Sequence, residues 1–220
     1  MSLRVGLTGG LASGKTTVAG MFAARGAYVM FADQAGHDAM KPGEPAYQEV
    51  VRRFGESIVN LDRSINRAKL AEIAFGTGRI EELNRVIHPA VQERMERWME
   101  QTVEFDPRAI MVFEAALILE AGLGKYFEKL VVVTSKQQQK LERFTSRLLG
   151  PETPDEEQRL KALRDAERRL GSQLSDQEKI AAADYVIDNS GTLADTERQV
   201  NAIYKELQGL AALRKQVSRS

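Results

Sequence analysis

Cysteine is missing from all 220 residues, which rules out disulfides, thiolate metal centres and thiolate nucleophiles. That suits a reducing compartment, and a cytoplasmic location is the expectation. Neither charge sign is in excess. Lys+Arg and Asp+Glu number 31 each, so the chain lacks the broad positive field of a nonspecific nucleic-acid binder. Any polyanion it holds must be met by local charge. No apolar run approaches the roughly twenty residues of a membrane span, and the first strand starts too close to Met1 to leave room for a signal peptide. No repeat or linker divides the chain. One domain over residues 1–220 is expected, with no nucleic-acid or membrane partner, as a monomer with self-association left open. What remains is an ordinary globular composition, 43% hydrophobic and 28% charged, long enough for one substantial core.

Arg4-Val5-Gly6-Leu7-Thr8 reads as a buried strand, and Gly9-Gly10-Leu11-Ala12-Ser13-Gly14-Lys15-Thr16 follows it without a gap. Those residues fit G-x-x-x-x-G-K-[ST]. Glycines let the backbone curl so that successive N–H groups face an anion, and the next helix presents its positive end to the same point. Gly10, Leu11, Ala12, Ser13, Gly14, Lys15, Thr16 and Thr17 are therefore candidate triphosphate-binding residues. Lys15 would reach the outer phosphates, and the Thr16 hydroxyl would ligate Mg²⁺. Val18, Met21 and Phe22 give the following helix one apolar face, and Gly26 is its stop.

A second strand, Ala27 to Ala32, ends at Asp33. In a parallel sheet its end lies near the phosphates, and an aspartate there can equally cap the next helix. Residues 42–104 read as helical: Pro45 opens one helix, Asn66 caps another, and Pro89 starts a longer one bearing Val91, Met95, Trp98 and Met99. So large a helical stretch exceeds what a crossover needs, and an insertion over 34–105 that binds the acceptor is expected. Further strands are Ala109–Phe113, ending at Glu114, then Leu130–Thr134 and Tyr185–Ile187. After the fourth strand a helix buries Leu141, Phe144 and Leu148, with Arg143 and Arg147 on another stripe. Residues 144–179, broken by Pro151 and Pro154 and dense in charge, read either as a solvated helical face or as a lid that brings cations to the triphosphate. Ser175-Asp176-Gln177-Glu178 restarts regular structure as a capping box, and Thr192 caps the last helix. The basic tail, 209–220, is expected to fray.

Together these predict an α/β, three-layer P-loop kinase fold with a five-stranded parallel sheet, a helical acceptor-binding insertion and a helical lid. No Asn-Lys-x-Asp segment reads guanine, and neither the third nor the fourth strand ends in aspartate. A small kinase remains, with Asp33 as candidate base.

An ordered set of segments carries a more specific likeness. It runs from Leu7-Thr8-Gly9-Gly10 and Ser13 to Val18 through Ala32-Asp33, Gly43-x-Pro45-Ala46-Tyr47, Asn66-Arg67-x-x-Leu70 and Leu83-Asn84-x-x-Ile87-His88-Pro89. It continues with Leu117-x-x-Glu120, Arg143 with Arg147, Arg169 with Gln173, Lys179, and Ala183-Asp184 to Gly191. The chain resembles the dephospho-coenzyme A kinase family as far as about Leu207. The resemblance implies ATP-dependent phosphorylation of the ribose 3′-hydroxyl of dephospho-CoA, with Mg²⁺ accompanying ATP. It implies Asp33 as base, Lys15 and Arg147 on the transferring group, Arg143 and Arg169 as further lid cations, and the Asn189 to Gly191 turn against the adenine. Thr8, Arg67 and His88 are acceptor-side candidates; Arg67 could instead brace helices, and His88 could serve only the helix entry. Three departures stand out: Phe31 where relatives usually have the first acid of Asp-Ala-Asp, Glu114 and Ala116 in place of the aspartate and proline of Asp-x-Pro-Leu-Leu, and a longer lid between Arg147 and Arg169. Alternatives are a kinase for another hydroxyl acceptor or a nucleotide-binding switch without turnover.

Overall fold

The computed structural model describes residues 2–150, 155–171 and 173–217, with side chains except those of Arg169 and residues 214–217. In chain order the elements are β1 (Leu3–Gly9), α1 (Lys15–Ala23), β2 (Tyr28–Phe31), α2 (Ala32–Ala39), α3 (Pro45–Phe54), α4 (Arg67–Gly76) and α5 (Ile80–Phe105). Then come β3 (Ile110–Glu114), β4 (Lys129–Thr134), α6 (Gln137–Leu149), α7 (Glu156–Gly171), α8 (Asp176–Ala181), β5 (Tyr185–Asp188) and α9 (Leu193–Val217). Pro151 and Pro154 lie outside the described residues.

The strands form one five-stranded sheet in the order β2-β3-β1-β4-β5. Its described ladders are parallel: Leu3 faces Ile110, Leu7 faces both Glu114 and Val131, and Val133 faces Ile187. The expected α/β parallel sheet is therefore present. β1 is central, and Leu3, Val5 and Leu7 are buried, because a strand paired on both edges and covered on both faces has no solvent side. The strands' carboxyl ends share one sheet edge, where β1 runs into the glycine-rich loop.

The chain forms two compact units, residues 1–29 with 102–220, and residues 30–101. In the first, Val18, Ala19 and Phe22 of α1 and Val200, Ile203, Tyr204 and Leu207 of α9 are buried, with the Phe22 and Tyr204 rings 6.4 Å apart. In the second, Val50, Phe54, Ile58, Ile65, Leu70 and Ala74 make a separate core.

Four local expectations change. Pro89 starts no helix; it lies inside α5, which runs unbroken through 26 residues. The ring deprives the Arg85 carbonyl of its N–H partner, but a helix this long, burying Met95 and Met99, outlasts that loss. α9 likewise passes Gly209 and continues to Val217, since one helical glycine costs only about 1 kcal/mol and Ala211 is buried beyond it. Leu148 is exposed, while the buried residues of α6 are Lys140 and Phe144. Finally, α2 starts at Ala32 with Phe31 as its N-cap, so Asp33 is in the first helical turn and caps nothing.

Candidate active site

In the first unit, Gly14 is the N-cap of α1 with φ 97°, and a Cβ there would stand 2.0 Å from Asn189 Nδ2. Only glycine fits. Asn189 Nδ2 donates to the Ser13 carbonyl at 2.9 Å, Thr196 Oγ1 donates to Asn189 Oδ1 at 2.8 Å, and Arg143 Nη2 donates to the Asn189 carbonyl at 3.0 Å. The turn after β5 and the helix after β4 thus clamp the loop's last residues. Ala12 holds φ 52°, a left-handed conformation uncommon outside glycine, so strain is stored in the loop as well.

Lys15 Nζ folds over its own loop, donating to the Gly9 carbonyl at 3.1 Å and the Gly10 carbonyl at 3.0 Å. Among the described residues, Ser13 Oγ and Arg143 Nη1 are buried without a hydrogen-bond partner. An unmet buried donor costs roughly 1–3 kcal/mol, and phosphate oxygens would satisfy both. Arg143 Nη1 is 4.0 Å from where a Gly14 Cβ would sit, which brings this predicted cation to the loop. Arg147, one turn further along α6, is exposed, and so are Thr16, Thr17 and Gly191. Arg169 lies outside the described side chains. At the loop's tip Leu11 and Ala12 pack with Leu141, Phe144 and Ala166, so α6 and α7 seat apolar side chains directly on the loop.

Thr8 is fully buried and its hydroxyl donates to the Ala116 carbonyl at 3.1 Å. Lys179, in a charged stretch that the sequence left open between a solvated face and a lid, is also fully buried. Its Nζ reaches the same carbonyl at 3.1 Å and Glu120 Oε1 at 3.0 Å. Glu120 Oε1 accepts from the Leu174 N–H as well. Together Thr8, Glu120 and Lys179 anchor the segment after β3 to the base of the charged region.

In the second unit, Asp33 is exposed in the first turn of α2, where the helix dipole favours a carboxylate. One turn on is His37, which sequence reasoning missed although its i+4 spacing puts it on the same face as Asp33. Burial pushes the His37 ring below its ordinary value of 6.5; the positive charge of Arg67 lowers it further, and Asp33 and Asp38 oppose this. Asp33, His37 and Arg67 therefore form one electrostatic cluster. Arg94 binds Glu44 at 2.8 Å and the Asp38 carbonyl at 3.3 Å, tying α5 to the ends of α2 and α3. His88 is exposed within α5.

Among the described residues no group of three or more His, Asp or Glu could hold a metal ion. The predicted protein ligand is the lone Thr16 hydroxyl, a donor set that fits a hard cation carried in on phosphate oxygens and waters.

A parallel sheet whose central strand ends in a glycine-lysine loop at a helix N-terminus, with buried donors around that loop, defines a P-loop nucleotide-binding protein. The dephospho-CoA kinase family profile matches residues 3–195. The dephospho-CoA kinase of Aquifex aeolicus is 37% identical over 93% of this chain and 97% of its own length, and that of Leifsonia xyli is 38% identical over 93% and 98%. A crystal structure from Thermus thermophilus superposes with a TM-score of 0.71 at 26% identity, covering 94% of this chain and 98% of that one. The chain belongs to the dephospho-CoA kinase family. It is a kinase, and no helix among the described residues is long and apolar enough to cross a membrane.

Proposed function

We infer that this kinase performs the last step of coenzyme A synthesis in the cytoplasm, moving the γ-phosphoryl group of ATP to the ribose 3′-hydroxyl of dephospho-CoA. The 3′-oxygen to phosphorus bond forms, the bond from the γ-phosphorus to the bridging oxygen breaks, and the hydroxyl proton goes to Asp33. ADP carries away the bridging oxygen. The observation that carries this reading is the Gly9 to Thr16 loop, clamped by Asn189 with buried, unmet donors on Ser13 and Arg143, in a chain of this family.

Phosphoryl transfer needs positioning and charge neutralisation more than covalent chemistry. Lys15 would leave the carbonyls of Gly9 and Gly10 for the outer phosphates, and Arg143 would add charge beside the α1 N-terminus. Arg147 and Arg169 are the cations a closing lid would bring. Mg²⁺, held by Thr16 and phosphate oxygens, would supply further charge neutralisation. Phe31, where relatives usually carry an acid, cannot assist that ion. Asp33 with Arg67 and His37 would face the acceptor, Arg67 pairing with one of its phosphates, and residues 34–105 would hold it, with His88 at its margin. Thr8 would act from behind, by fixing the Ala116 segment.

An ADP-release assay with Mg²⁺-ATP, comparing dephospho-CoA with adenosine, AMP and no acceptor, tests the reading. Release should depend on dephospho-CoA. Asp33→Asn should cut turnover about 10²- to 10⁴-fold, the range of general-base contributions, while ATP affinity is kept. Equal release with every acceptor, or full turnover by the variant, would overturn it.

A further inference from the structure

Lys140 has no part in the chemistry above, yet it is a lysine with 4% exposure beside the phosphate loop. Its Nζ is 2.9 Å from where a Gly10 Cβ would be, and Asp176 Oδ1 is 3.0 Å from the same point. The ammonium pairs with Asp176, whose Oδ2 also accepts from Thr134 Oγ1 at 2.8 Å. α6, the first turn of α8 and the end of β4 thus converge on the residue whose carbonyl accepts from Lys15. A pair this close to the loop does more than fill space. Its two charges act on any anion the loop holds, Lys140 from a buried position and Asp176 from one a third exposed, where solvent screens it in part.

We propose that Lys140 is a positioning residue that adds positive charge to the triphosphate site, and that Asp176 is a built-in competing anion that tempers it. The proposal rests on reading residues 9–16 as the triphosphate loop. Bound phosphates and the Asp176 carboxylate draw on the same ammonium. Removing the carboxylate leaves an uncompensated cation beside the loop; removing the amine leaves an uncompensated anion. The two single substitutions therefore act in opposite directions on nucleotide affinity. A brace of purely structural value makes both act in the same direction, since either loss breaks the same pair. The tempering has a use: a loop that held phosphates too tightly would retain ADP.

The test is titration calorimetry of Mg²⁺-ATP and Mg²⁺-ADP binding to Asp176→Asn, Lys140→Met, Lys140→Arg and the double variant Lys140→Met/Asp176→Asn, without acceptor. Thermal melting of each variant checks that it is folded. Asp176→Asn should bind both nucleotides at least about threefold more tightly and Lys140→Met at least about threefold more weakly, as expected for one unit charge acting through a partly shielded path. Lys140→Arg should stay near the unmodified protein, and the double variant should return toward it. Weakened binding in both single variants, or no change in either, would overturn the proposal while leaving the acceptor assay above intact. If the unmodified protein bound no ATP, the loop assignment itself would fall, and the proposal with it.

Discussion

At the scale of single residues, the telling case is His37, because its proton reports on the two residues given acceptor-side roles. Burial and Arg67 hold it below the ordinary 6.5, against Asp33 and Asp38. The unfolded chain therefore binds the proton more readily than the native one. His37 should cost stability as pH falls below 6.5 and have no effect above it, where both states are neutral. The chain has 2 histidines, so a His88→Gln variant assigns the ring signals in an NMR titration. The His37 midpoint should lie below 6.5, rise in Arg67→Gln and fall in Asp33→Asn. A midpoint indifferent to both substitutions would mean that the three side chains do not form a cluster. Only part of this could be read from spacing. Asp33 and His37 share a face by their i+4 separation, but Arg67 joins them only through the packing of α4, and long-range packing leaves no mark on a local pattern.

At the scale of elements, the sequence was most legible where the backbone rules are strict. The G-x-x-x-x-G-K-T spacing fixes a strand, a loop and a helix start together, and Asn66 and Thr192 cap the helices they precede because their side chains can reach the N–H groups one turn on. It was least legible where tertiary burial overrides a local breaker, as at Pro89 and Gly209. The burial of Lys140 and Lys179 was illegible for a related reason: a buried polar group looks like an exposed one until its partners, 36 and 63 residues away, are known, and Thr8, read in a buried strand, hid only its partner, the Ala116 carbonyl. The α9 correction can be tested directly. Gly209 is exposed, with nothing within 4 Å of an added Cβ, so Gly209→Ala should stabilise the protein by about 0.5–1 kcal/mol in urea unfolding. If the helix ended before this position, the substitution would give no gain.

At the scale of the whole molecule, each substrate should leave its print on its own part of the chain. In amide hydrogen exchange, ATP should slow residues 9–17, while dephospho-CoA without nucleotide should slow amides within 30–101. Absence of the second effect would remove the acceptor role from that unit. Nucleotide at a hundred times its Kd should also add about 2.7 kcal/mol of stability, visible as a raised melting temperature. The chain's layout has a consequence for synthesis. Residues 30–101 form one uninterrupted unit, whereas the first unit is split, and β1 is made roughly a hundred residues before its partners β3 and β4. On the ribosome, the nascent chain therefore completes the inner unit while Leu3, Val5 and Leu7 still lack both neighbours. The N-terminal strand that will carry the phosphate loop must wait as bare apolar chain, and for that interval it is the part most in need of a chaperone.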